Sequence, residues 1–245
     1  MAQPPAPPVI EVTGLIKHYS GLRPLRLQSL VVRAGERVAI SGLDATAAEV
    51  LINVLNGAIL PDSGEIRVFG QPTADIADET AWLAFLDRLG IVTPRAVLLE
   101  GQTVLQNLVL PFTLAIDAVP AEVEARARDL AALAQIDDQW LAHRVGDAPA
   151  LVRMRIHLAR AVALSPALLL LEHPTAQIEP SHVKAFAVTV RRVLDTRRLT
   201  ALAVTEDQVF AGVVAERAYR LHGGTGALTT TRGWRSWIKG LEARG

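Results

Sequence analysis

The chain has 245 residues, half of them hydrophobic, with 25 basic and 25 acidic side chains and a formal net charge of zero. That composition supports a sizeable core, as one large α/β domain or two small ones, and excludes general disorder. The neutral balance argues against nucleic acid as a partner, which needs a basic footprint, and the absence of cysteine excludes disulfides, thiolate zinc sites and cysteine nucleophiles.

Met1–Pro8 is rich in Pro and Ala and reads as an extended tail without the apolar run of a secretion signal. No window approaches about 18 consecutive apolar residues, so no membrane-spanning helix is expected. Val9–Leu15 and Leu25–Val32 have strand character, separated by a turn at Gly21. Arg37–Ser41 is a short β-rich run ending at Gly42, and Thr46–Leu55 follows with the helical spacing of Val50, Leu51, Val54 and Leu55. Pro61-Asp62-Ser63-Gly64 is a turn signal before a strand at Glu65–Phe69.

From about Ala74 to Leu164 the pattern is mostly helical. Ala121–Gln135 is amphipathic, with Pro120 placed for a first turn, and Leu151–Leu164 stops before Pro166. Leu168–Leu171 reads as a strand buried on both faces of a parallel sheet. A helix at Ser181–Leu194, a strand at Thr200–Val204, a short helix near Phe210–Ala215 and a strand at Arg217–Leu221 complete the alternation. The expected architecture is α/β, with a core formed by residues 9–75 and 165–230 around a helical insert of about 76–164. A C-terminal helix is expected over 231–245, with Trp234, Trp237, Ile238 and Leu241 on one face, suited to a membrane surface, a subunit or the chain's own domain. His143, His157, His182 and His222 stand isolated in the sequence and read as structural or exposed.

Three stretches, in order, resemble the ABC (ATP-binding-cassette) ATPase family. The first runs from Val38-Ala39-Ile40-Ser41-Gly42 through Leu51, Asn53, Leu55 and Gly57 to Pro61-Asp62-Ser63-Gly64-Glu65-Ile66. The second is Thr103-Val104-Leu105-Gln106-Asn107. The third runs from Leu158-Ala159-Arg160-Ala161 through Leu168–Leu171 to Pro174-Thr175-Ala176. Together they cover nearly the whole chain. The resemblance implies a P-loop NTPase-like parallel sheet core, an N-terminal antiparallel β part and a helical subdomain insert.

The departures from the family pattern carry as much information as the matches. A phosphate loop reads Gly, four residues, then Gly-Lys-Ser/Thr. Here Gly42 remains, but Ala47 takes the second glycine's place, Ala48 the lysine's and Glu49 that of the magnesium-binding hydroxyl. The vestigial nucleotide site would comprise Gly42, Ala45, Ala47, Ala48, Glu49 and Val50, with Tyr19 matching the aromatic that stacks on adenine. Losing the lysine removes a charge-assisted contact worth roughly 1.5–3 kcal/mol. Glu49 and Asp44 add negative charge beside the phosphates, opposing them by a few kcal/mol at an effective dielectric of about 20. Glu172 replaces the metal-binding aspartate, leaving it a candidate metal ligand, and His173 replaces the glutamate that activates water. Glu206 replaces the switch histidine, Pro94 falls near the switch glutamine, and Glu179 replaces a loop aspartate. The signature serine and glycines become Ala148-Pro149-Ala150-Leu151-Val152; Pro149 has neither the hydroxyl nor the N–H that meets a partner's phosphate.

The resemblance therefore implies a cassette in which ATP and magnesium bind weakly or not at all, and which serves as a scaffold or regulatory subunit. Family cassettes pair head to tail, so loss of both phosphate loop and signature compromises both composite sites. Two alternatives stay open: residual ATP binding without hydrolysis through Tyr19 and the loop amides, and a divalent-metal site or other chemistry built from Glu49, Glu172, His173, Glu206 and Glu179. The implied partners are transmembrane transporter subunits and a second ATPase subunit, as a homo- or heterodimer, placing the chain at the cytoplasmic face of the membrane. The docking groove would be lined by Leu98, Leu99, Val104, Leu108 and Leu110.

Overall fold

The computed structural model describes residues 6–231. The elements run β1 (Pro8–Lys17), β2 (Leu25–Arg33), β3 (Arg37–Ser41), α1 (Ala45–Leu55), β4 (Ser63–Val68), β5 (Gln71–Pro72), α2 (Glu79–Leu86), β6 (Leu89–Val92), α3 (Val104–Val109) and α4 (Ala121–Leu133). They continue as α5 (Asp138–Leu141), α6 (Ala150–Ala161), β7 (Leu168–Glu172), α7 (Pro180–Arg197), β8 (Thr200–Val204), α8 (Gln208–Val214), β9 (Arg217–His222) and β10 (Ala227–Thr230).

The strands form two sheets. A four-stranded antiparallel sheet has the order β2-β1-β4-β5, and a six-stranded sheet has the order β10-β9-β3-β8-β7-β6. In the second sheet β3, β6, β7, β8 and β9 pair in parallel, and β10 closes one edge antiparallel to β9. Every residue of β7 and β8 is buried, as a central parallel strand covered on both faces demands.

The strand period divides that burial between two cores. Leu169 and Leu171 pack with α6 and α7 residues such as Ile156, Phe186 and Val190. Leu168 and Leu170 point the other way, against Leu51 and Leu55 of α1 and Ile10 and Val12 of β1. The helix α1 is thus clamped between the two sheets, and its start lies at the carboxyl ends of β3, β7 and β8.

The expected α/β architecture with its antiparallel N-terminal part is present, with three differences. The tail ends earlier, because Pro8 already pairs with Arg33. The stretch from 76 to 164 is not continuously helical: β6 interrupts it and joins the main sheet beside β7. Gly90 permits this, since a Cβ there would run into the carbonyl oxygen of Ala161. Strand β10 was not expected. The proposed C-terminal helix with Trp234, Trp237, Ile238 and Leu241 lies outside the described residues. Of the expected groove residues, Leu98, Val104 and Leu108 are core, while Leu99 remains exposed and Leu110 half-buried.

His157 of α6 is buried at 7% exposure. Burial first, then the positive charges of Arg160 and Arg153, lowers its pKa from 6.5 to about 4. The unfolded chain therefore takes up this proton at higher pH than the folded one. The contribution of a neutral His157 to stability is fully present above about pH 6.5 and drains away as pH falls toward 4. Urea unfolding followed across that window should show a slope that is flattened in His157→Leu.

Candidate functional site

The cleft lies where β3, β7 and β8 end and α1 begins. Its volume is about 380 Å³, and its walls include Leu43, Asp44, Ala45, Thr46 and Glu49 on one side and Pro94, Arg95, Glu172, His173, Ala176 and Glu206 on the other. Four carboxylates therefore face it against one guanidinium.

Each carboxylate is held by the chain itself. Asp44 caps α1, accepting the N–H of Ala47 on its side chain at 2.8 Å and that of Ala48 on its carbonyl at 2.9 Å. Glu206 accepts the N–H of Gly42 at 2.5 Å. Arg95 reaches both remaining acids, Nη1 meeting Glu49 and Nη2 meeting Glu172 at 2.6 Å. The side chain of Glu172 is only 3% exposed, so its charge requires this partner.

The sequence-marked residues separate into two groups. Ala45, Glu49, Glu172, His173 and Glu206 line the cleft. Ala47, Ala48 and Val50 are buried core residues of α1 and present no side chain to it. Glu179 precedes α7 and does not join the cleft. Glu172 is neutralised by Arg95, and among the described residues no cluster of three His, Asp or Glu side chains is placed to hold a metal ion. His173 adopts a left-handed φ of 38°, and its N–H donates to Val204 O at 2.8 Å. Its Nε2 is shut away from solvent and has no hydrogen-bond partner, a poor arrangement for a base that must reach water.

Tyr19 is not in the cleft wall. Its ring covers Gly21 and packs partly against the core, and burial followed by the nearby charge of Asp44 raises its pKa. The segment before it is tied down at Asp62, which accepts from Lys17 Nζ at 2.8 Å and from the His18 N–H at 2.6 Å. These bonds, the backbone one first, hold the Asp62 carboxyl far below the usual carboxylate range.

Gly42 has a structural reason to remain. Its φ is +92°, and a Cβ there would collide with the carbonyl oxygen of Leu221. The residue that the sequence pattern missed is Arg95. Its one local sign is a cation following Pro94 just beyond β6, and nothing in that neighbourhood names the acids it joins.

Magnesium triphosphate does not fit these residues in the family's manner. The amides of Gly42 and Ala47 already serve carboxylates, no lysine stands at residue 48, and the two residues at metal-binding positions hold an arginine.

A family model described as ABC transporter matches residues 25–176, more than half of the chain. The chain belongs to the ABC transporter family. The lipoprotein-releasing system ATP-binding protein LolD of Saccharophagus degradans is 28% identical over 89% of this chain and 96% of its own length. LolD of Pseudomonas syringae pv. tomato is 30% identical over 80% of this chain and 85% of that protein. The sulfate/thiosulfate import ATP-binding protein CysA of Bordetella bronchiseptica is 31% identical over 88% of this chain, which spans 60% of that relative's length. Among solved structures, a dimeric bacterial ABC transporter cassette aligns with TM-score 0.74 at 23% identity, covering 91% of this chain and 99% of the other. The cbiO1 subunit of Clostridium perfringens aligns at 0.77 and 19%, covering 97% and 93%. At those identities the structural matches establish the ABC cassette fold.

Substituting Gly42 tests whether this glycine is retained for shape. Gly42→Ala should lose about 2–5 kcal/mol from backbone strain and overpacking together. Gly35→Ala, with a φ of +80° but nothing within 4 Å of the new Cβ, should lose only the strain. Denaturant melts of the two variants compare them directly.

Proposed function

We propose that this ABC transporter chain is a non-catalytic cassette of a membrane transport complex, holding the assembly together or setting its geometry without turning over ATP. The observation that carries this reading is the occupation of the phosphate loop by the chain's own acids: Gly42 N–H on Glu206 and Ala47 N–H on Asp44. A triphosphate must displace both of these carboxylates with no lysine to help it, and at an effective dielectric of about 20 each unpaired like charge at about 4 Å opposes it by a few kcal/mol, since Arg95 is already engaged by Glu49 and Glu172.

The opposite face of a composite site is altered as well. Pro149 starts α6 with no side-chain capping bond and no N–H, and Leu151 follows in the first turn. A partner's γ-phosphate finds no hydroxyl and fewer amides there. A cassette lacking both halves fits structural support better than one side of an asymmetric ATPase pair. The names of the relatives, a lipoprotein-releasing system protein and a sulfate importer protein, support membership of a transport complex and do not select a cargo. The described residues include no helix long and apolar enough to cross a membrane. Transmembrane subunits are the proposed partners, contacted from the cytoplasmic face, with a second cassette completing a homo- or heterodimer.

Two measurements test the proposal. Affinity capture with membrane subunits retained should recover a transmembrane partner. Saturating magnesium-ATP should leave the melting temperature of the chain unchanged. A ligand at about 100 times its Kd adds about 2.7 kcal/mol to stability, roughly 5–10 °C for a chain of this size. A shift of that order, accompanied by phosphate release, contradicts the non-catalytic reading.

A further inference from the structure

The loop after β6 is held at two neighbouring points. Arg95 joins Glu49 of α1 to Glu172 at the end of β7. Two residues on, the carbonyl of Val97 accepts from Arg160 Nη1 of α6 at 2.8 Å. One short segment thus ties the cleft to the helical insert.

Glu49 and Glu172 occupy the positions whose counterparts in the resembled family hold magnesium, and their side chains are brought together around one cation. The side chain of Glu172 is 3% exposed, and burying a carboxylate is costly unless a countercharge stands beside it. A planar guanidinium presents two donors in a fixed fork and meets two separated carboxylates at once, which a hydrated lysine ammonium does less well. Arg95 meets one acid with each Nη atom, so the demand for positive charge is satisfied within the chain. A divalent cation here would have to displace a covalently attached competitor.

We propose that Arg95 is the resident cation of this cleft, standing in for the divalent metal and tying the 93–97 loop to α1 and β7. The inference deepens the non-catalytic reading and rests on it. Without Arg95, two carboxylates and open solvent remain, a ligand set that oxygen-seeking cations complete with water.

Manganese(II) alone is a suitable probe, followed by loss of the free-ion signal in electron paramagnetic resonance. The wild-type chain should leave the signal essentially intact. Arg95→Ala should bind manganese at least about tenfold more tightly than the wild type, because a positive charge is removed and two acids are released. Adding Glu49→Gln to Arg95→Ala should abolish the gain. The melting temperature should rise with manganese in Arg95→Ala and stay level in the wild type. If Arg95→Ala does not fold by itself, manganese should restore folding, and should fail to do so when Glu49→Gln is also present.

Equal manganese binding by wild type and Arg95→Ala overturns the proposal. So does a gain that survives Glu49→Gln, or an unfolded Arg95→Ala that manganese leaves unfolded. These outcomes are separable from failure of the functional reading. ATP turnover by the wild-type chain sinks that reading on its own, whereas a missing manganese gain in an inactive chain sinks only the assignment of Arg95.

Discussion

A carboxylate buried at the end of a central strand has to be neutralised, and the cleft is organised around that requirement. Glu172 follows four fully buried leucines on β7, where the sheet is covered on both sides. An isolated charge there is several kcal/mol out of balance. Arg95 supplies the countercharge from the loop after the neighbouring strand β6 and uses its second Nη to reach Glu49 on α1. One guanidinium thereby joins a strand, a helix and a loop that are far apart in sequence.

The same principle governs the backbone amides. The start of α1 leaves N–H groups that must find acceptors. In a phosphate loop they wait for an anion, which the ligand brings. Here Asp44 caps the helix and Glu206 takes the amide of Gly42. Cation and anion are both supplied from within, so the folded cleft has its principal charges paired before any ligand arrives. The shape of an ABC cassette is kept by its core and by Gly42, whose conformation and contact with Leu221 stand apart from phosphate binding.

Much of this was legible in the sequence because it is local. The Leu168–Leu171 run marked a doubly covered strand, and the spacing of Val50, Leu51, Val54 and Leu55 marked a helix facing a core. Ala47, Ala48, Glu49 and Glu206 drew notice because they differ from the phosphate-loop and switch pattern that the resemblance leads one to expect. What stayed hidden depends on distance. Arg95 and Glu172 are 77 positions apart, and no periodicity connects them. Strand β6 has four residues, one of them a glycine, too short for an alternation to register within a helical stretch. The count of acids around Glu172 carried no sign of the cation that pairs with them, and the pattern at Tyr19 did not show that its ring lies over Gly21.

The most direct measurement is a high-resolution crystal structure of the chain grown in excess magnesium and a non-hydrolysable ATP analogue. The expected result is a cleft without nucleotide, with Arg95 bridging Glu49 and Glu172 and with the Gly42 N–H on Glu206. A triphosphate seated on the amides of residues 42–48, with magnesium between Glu49 and Glu172 and Arg95 displaced, would contradict it.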